Sequence, residues 1–327
     1  MPMIALIGLG AGVATALLLA STTTGGLGLR LLVYLLAPLP LILAGLGAGY
    51  RAAIVGGLMS ATIVAIVIGP QVALMHAAAH GIPVAILCYL ALLSRPAPAA
   101  PAVVAGVQPA LEWYPVGRIV AGATMLAGLH GYISTIVLGV DLDQQRQMLR
   151  KLMEVLAEHL PRRDGQVLSE ADISTLVELG IYTLPAAAAL SWLLSMLFNF
   201  YIGARITAMS GHLERPLPDV PSMTFPVGFG LGLAVSLPLA FVLAGSTFSF
   251  IGSSFAGAFF GAHLLMGLAI IHDITRGMSG RPAILSVLYV ALVFLNSWVA
   301  IALVIFASLA PILPLKRGRA PTNTTPD

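Results

Sequence analysis

The chain has 327 residues, 9% charged and 58% hydrophobic, with a formal net charge of +3. Soluble domains carry about 25% charged residues, so this composition excludes an ordinary water-soluble fold and fits hydrocarbon as its solvent. The basic residues are scattered one or two per loop and form no stripe, which excludes a nucleic-acid-binding face, and the single Cys88 excludes an intrachain disulfide or a cysteine-based metal cluster.

About 20 apolar residues are needed to cross a bilayer, and such stretches occur at 3–21, 29–48, 52–69, 72–93, 116–139, 180–207, 225–245, 250–272 and 284–312. The first lacks the positive charge that precedes the apolar core of a signal peptide, so it reads as a membrane helix. Pro38 and Pro40 require the second to bend or break. In the fourth, His76 and His80 share a face at i,i+4. This is a metal-ligand spacing, but no acidic residue or cysteine lies beside it, so polar packing between helices is the preferred reading and no metal is expected. Gly81 and Pro83 follow at once and predict a break that exposes backbone toward protein or a cavity.

Residues 95–111 form a Pro/Ala linker, after which Trp113, Tyr114 and Pro115 suit an interfacial helix start. Residues 141–178 form a polar insert that predicts an amphipathic helical hairpin. Leu149, Leu152, Leu156 and Leu160 share one face, Arg150 and Glu154 pair on another, and Ser169 with Asp172 resembles a capping box.

The sixth stretch ends in "MLFNFYIGARI". Arg205 and Tyr201 fit an interfacial anchor, whereas Asn199 lies about two turns inside and must find a partner, with Gly203 opening room for a neighbouring helix. The eighth stretch carries His263 and ends in His272, Asp273 and Arg276, where Asp273 and Arg276 can pair. The ninth contains Pro311 and is followed by Pro314, so one tilted helix or a helix with a short return is expected. Small residues recur four apart at Gly8/Gly12, Gly45/Gly49, Gly228/Gly232 and Ser253/Gly257/Gly261, which predicts close helix packing.

The expected fold class is therefore all-α: a polytopic membrane bundle of about nine transmembrane helices, eight to ten allowed, with the hairpin insert. Residues 1–94 are expected to form a four-helix membrane unit, 112–315 a second membrane unit, and 316–327 a disordered tail. With the N-terminus inside, Arg51, Arg95, Arg118, Arg205, Arg215, Arg276 and Arg281 all fall on the cytoplasmic side, while Arg30 and the terminal "LKRGR" fall outside. A last segment that turns back would bring the tail inside.

No phosphate-binding loop, G-x-S-x-G element, H-E-x-x-H helix, intramembrane carboxylate pair or charged ring is present. An enzyme is not expected, nor is any cofactor. The stretches at 29–95, "EWYPVGRI", "LSWLLSMLFNFYIGARI" and "GLAIIHDITRGMSGRPAILSVLYVALVF" resemble the YybS-like predicted membrane proteins of bacteria, a family of unknown function. That resemblance implies a multi-pass protein of the bacterial inner membrane. It also implies distant kinship with the substrate-binding membrane subunits of energy-coupling-factor transporters, and hence a bundle with a central cavity and separate ATPase or membrane partner chains. The polar groups weighed as cavity candidates are Asn199, Tyr201, Arg205, His76, His80, His130 and His263. Two functions are expected as alternatives: binding or transport of a small molecule within the bundle, or a scaffold that recruits a partner through 141–178.

Overall fold

A computed structural model of the protein describes residues 2–21, 26–97, 110–137, 142–159, 169–243 and 246–313. The described residues are dominated by helices. They are α1 (Pro2–Ser21), α2 (Leu27–Leu36), α3 (Leu39–Gly47), α4 (Tyr50–Val67), α5 (Pro70–His76), α6 (Ile82–Leu92), α7 (Val116–Val137), α8 (Leu142–His159), α9 (Glu170–Met209), α10 (Phe229–Val242), α11 (Thr247–Ile274), α12 (Arg281–Phe294) and α13 (Ser297–Leu309). Among the described residues, five stretches are long and apolar enough to cross a membrane: α1, α4, the continuous run Pro70–Leu92, α9 and α11. Of the other expected spans, the second, seventh and ninth form shorter apolar helices and the fifth forms the 22-residue α7.

Each departure from the expected spans has a local cause. The second span breaks between α2 and α3 at Ala37–Pro38, as its prolines require. The fourth does not break. A π-helical turn, Ala77–Gly81, joins α5 to α6. Pro83 cannot donate to the carbonyl of Ala79, and its ring would strike that carbonyl in a regular helix; the wider turn relieves the conflict while keeping the helix continuous. The seventh starts late because Pro226 and the left-handed Gly228 (φ 80°) hold Thr224–Gly228 out of helix.

The ninth divides at Leu295–Asn296, where Asn296 has φ 29°, and not at the prolines. Tyr289 of α12 meets His272 of α11, and Leu303 of α13 meets Gly267. A straight helix would separate residues 289 and 303 by about 21 Å along its axis, whereas their partners on α11 are only about 7.5 Å apart. One tilted helix is thereby excluded.

The ends of the expected linker pair as a two-stranded antiparallel ribbon, β1 (Ser94–Pro96) and β2 (Leu111–Trp113), with Arg95 opposite Glu112 and bonded to it at 2.8 Å. The linker's residues 98–109 and the tail 316–327 lie outside the described residues.

The chain divides into two compact units, one of Met1–Ala123, Leu194–Val227 and Gly261–Asp327, the other of Thr124–Leu193 and Gly228–Phe260. In the first unit α1 and α4 run parallel and touch through glycine. A Cβ on Gly8 would lie 2.7 Å from the Ala52 carbonyl oxygen, and one on Gly12 would lie 2.5 Å from that of Gly56. Gly45 of α3 is pressed against Cys88 and Ala53. Gly49, its expected partner in a ridge, instead forms the turn before α4 at φ 94°.

Several arginine-bearing ends meet in this unit. Tyr50 packs edge-on to Tyr89, Arg215 donates to the Ala91 carbonyl, Gly117 abuts the Thr224 carbonyl, and Arg276 pairs with Asp219. Because α1 runs parallel to α4, the start of α1 lies at the same end as Arg51.

In the second unit, the helices close around Pro185 of α9. Its carbonyl oxygen faces Gly131, the carbonyl of Ala186 faces Gly257, and Ser253 donates to the carbonyl of Tyr182. The expected second arm of the insert is the start of α9, which runs 40 residues, about 60 Å, without interruption. Leu149 of α8 packs on Ile173, Val177 and Ile181, while Leu152 is exposed alongside Met148 and Val155. The buried line of α8 therefore runs through Leu149 and Met153 and not through Leu152; Leu156 and Leu160 lie outside the described side chains. Arg146 bridges to Glu178, and Arg150 to Glu154 and Glu170.

The capping box forms in full. The Asp172 N–H donates to Ser169 Oγ, and the Ser169 N–H donates to Asp172 Oδ2. These bonds from Ser169 hold the Asp172 carboxyl below its ordinary 3.8. A depressed carboxyl contributes its stability above the unfolded value and loses it as pH falls through the folded one. Amides at the start of α9 are therefore expected to lose hydrogen-exchange protection below pH 3.8, and Asp172→Asn to flatten that dependence.

Candidate functional site

The first unit gathers irregular backbone and buried polar groups at one place: the break between α2 and α3. In a continuous helix the Leu39 N–H would occupy the Leu35 carbonyl. Here Asn199 of α9 donates Nδ2 to it at 2.7 Å, with Ser195 Oγ at 3.4 Å. The same Nδ2 also reaches the Ser195 carbonyl at 2.8 Å. Gly203, one turn further along, admits Ile42 of α3 so closely that a Cβ would lie 2.6 Å from Ile42 Cγ2. Asn199 is fully buried, and among the described residues its Oδ1 has no partner.

Tyr34, adjacent to Leu35, meets His80 edge-on at 5.9 Å between ring centroids. His80 lies on the π-turn, 5.1 Å from the ring of His76. That turn reaches α4 through Gly81, whose Cα would lie 3.1 Å from a Cβ on Gly57. One turn along α4, Ser60 Oγ donates to the Gly57 carbonyl at 3.0 Å and lies 3.1 Å from His76 Nε2. Since the serine proton is committed to Gly57, the histidine must donate from Nε2. Its Nδ1 is then a lone-pair acceptor, buried and without a partner among the described residues.

His76, His80 and Asn199 are thus joined to one helix break through the consecutive residues Tyr34 and Leu35. The other sequence candidates do not belong to this cluster. Tyr201 is 53% exposed, and the Arg205 guanidinium lies 6.0 Å over its ring, an outward-facing anchor. His263 of α11 is buried against Phe225 at 5.7 Å. His130 lies in the second unit, stacked on Trp192 at 5.4 Å.

Tyr34, Ser60 and Ser195 were not singled out by sequence reasoning. A lone hydroxyl in an apolar run gives no signal until its partner is known. Among the described residues no group of three or more His, Cys, Asp or Glu side chains could hold a metal ion. The second unit offers a hollow of about 320 Å³ between α10 and α11, lined by Leu231, Val235, Phe255 and Phe259 among others; it is almost wholly apolar.

Long apolar helices that touch through glycine define a multi-pass helical membrane protein. The chain matches, over residues 12–310, the family described as predicted membrane protein (DUF2232), and it belongs to that family. No curated protein and no solved structure matches it.

Proposed function

We propose that the protein binds an uncharged, hydrogen-bond-donating small molecule at the α2–α3 break, as a transport-type protein of the bacterial inner membrane. The observation that carries this reading is the pair of unpartnered buried acceptors, His76 Nδ1 and Asn199 Oδ1, beside irregular backbone. Irregular backbone at membrane depth is tolerated where it is buried in protein or lines a cavity, and discontinuous helices supply the substrate sites of many transporters. No formal charge stands among Tyr34, Ser60, His76, His80 and Asn199 when the histidines are neutral, so a charged ligand would stay uncompensated. Kinship with energy-coupling-factor subunits, and an ATPase partner on another chain, are part of the same proposal. So is the orientation with the arginine-bearing end cytoplasmic, and so is the entry of all nine apolar segments into the bilayer, several as broken helices.

The test is a thermal-shift screen of purified protein against uncharged amides, alcohols and heterocycles bearing N–H groups. A ligand at one hundred times its Kd stabilises by about 2.7 kcal/mol. That gain is expected for the wild type and should be absent in His76→Phe, which keeps a planar ring and removes the acceptor. A screen without a stabilising compound, together with no co-purifying molecule, would sink the reading.

A second reading, a scaffold, is favoured by the outward stripe of α8. Met148, Leu152 and Val155 recur at i, i+4 and i+7 and are 77%, 51% and 53% exposed. On this reading, Met148→Lys with Leu152→Lys loses a co-purifying partner while ligand stabilisation is kept.

A further inference from the structure

Residues 210–228 connect α9 to α10 with a Pro-rich segment, "SGHLERPLPDVPSMTFPVG", that is not a free loop. Within the first unit it is fastened at successive points. Arg215 Nη1 donates to the Ala91 carbonyl at the end of α6, at 3.3 Å. Asp219 takes Arg276 Nη2 at 2.5 Å. A 3-10 turn, Val220–Ser222, leads to Met223, which is buried. The Thr224 carbonyl lies so close to α7 that a Cβ on Gly117 would sit 1.8 Å from it. Phe225 then meets His263.

The anchoring points differ in depth. Arg276 lies just past the end of α11, whereas His263 is 11 residues before Ile274, about 16 Å along the helix. The segment therefore stays at the arginine-bearing end, where Thr224 meets the first turn of α7, and the Phe225 side chain reaches inward to the ring of His263. Phe225 on a buried histidine is a cover over a polar group.

We propose that residues 212–227 are a gate on the arginine-bearing face, latched by Arg276 between Asp219 and Asp273, with Phe225 covering His263. The two carboxylates are not equivalent. Asp273 is fully buried and 3.2 Å from Arg276 Nε on its own helix turn, so it fixes the guanidinium. Asp219 and Arg276 are each more than a third exposed, and a pair so open to water is a weak and reversible fastening. The guanidinium beside it holds the Asp219 carboxyl below its ordinary range, so the latch is charged at neutral pH. The gate rests on the binding reading only for what passes beneath it, and its test needs no ligand.

The experiment is cysteine accessibility in a Cys88→Ala background, with His263→Cys as reporter and a membrane-impermeant maleimide applied to inverted vesicles. Labelling is expected to be slow with the latch intact and at least tenfold faster when Asp219→Asn is added. In that variant Arg276 keeps Asp273, so the guanidinium is not stranded. Equal rates with and without the latch, or full labelling with it intact, would overturn the proposal. Hydrogen exchange on the unmodified protein supplies a second readout that does not depend on variants folding. The amides of Asp219, Val220, Ser222, Met223, Thr224, Phe225 and Val227 should exchange together, and at least tenfold faster than those of α11 around His263. Exchange as slow as that of α11 would show a fixed plug and end the proposal.

Discussion

Asn199→Leu is expected to destabilise the protein by about 1–3 kcal/mol, the cost of leaving a buried backbone acceptor unmade. The side chain is fully buried, and its Nδ2 is the short donor to the Leu35 carbonyl freed by the break between α2 and α3. Leucine keeps the branched shape and is the larger residue, so the substitution opens no cavity. Ser195 lies at 3.4 Å from the same oxygen and is too distant to replace the amide. Asn199→Asp should be worse, because an ionised carboxylate would face a carbonyl oxygen. Unfolding followed by circular dichroism in detergent should rank the variants wild type, Asn199→Leu, Asn199→Asp. An unchanged midpoint for Asn199→Leu would mean that the α2–α3 break is satisfied some other way.

The same residue shows how far the sequence could be read. That an amide two turns inside an apolar helix needs a partner follows from solvation alone, and Gly203 on the same face correctly marks where a helix comes close. The identity of the partner does not follow. Leu35 is an ordinary apolar residue whose carbonyl matters only because Ala37–Pro38 interrupts the helix and α9 passes beside it. Tyr201 and Arg205 were legible as an anchor from position alone. The four-residue spacing of His76 and His80 placed them on one face, but Ser60, which sets the tautomer of His76, is visible only once α4 is seen to cross the π-turn.

Span boundaries were less legible, for a physical reason. Hydropathy reports where a chain can enter hydrocarbon and says little about whether it does so as one helix. Residues 284–312 are apolar throughout, yet they turn at Asn296, a residue with no strong breaking propensity, while Pro311 sits harmlessly in a terminal 3-10 turn. Residues 170–178 are polar and look like a separate arm, yet nothing in them stops a helix, so α9 runs through. In each case the backbone decides the boundary at a point where hydropathy does not change.

Gly12→Val should have the largest structural effect of any single change near the start of the chain. A Cβ at that position would lie 2.5 Å from the carbonyl oxygen of Gly56 and 2.7 Å from the Cβ of Met59. The first of these is backbone inside α4 and cannot turn aside, so α1 must move away as a body. Valine adds two methyl groups at the point of contact, and overpacking of this kind costs about 1–3 kcal/mol even where some relaxation is possible. Here relaxation also separates Gly8 from Ala52, because both glycines lie on the same contact line. In lipid the separated surfaces regain no hydrophobic penalty that would drive them back together; close packing is most of what holds α1 in place. Gly10 is the internal control, since nothing lies within 4 Å of a Cβ built there. Gly10→Val should therefore leave the protein intact, whereas Gly12→Val should expose the α1–α4 contact line to limited proteolysis. Disulfide trapping between cysteines placed at 16 and 64, whose side chains belong to one buried cluster, provides the direct measurement. Efficient trapping is expected for the otherwise unmodified chain and for Gly10→Val, and its loss for Gly12→Val. Equal trapping in all of them would show that α1 is held by something other than its glycine contacts.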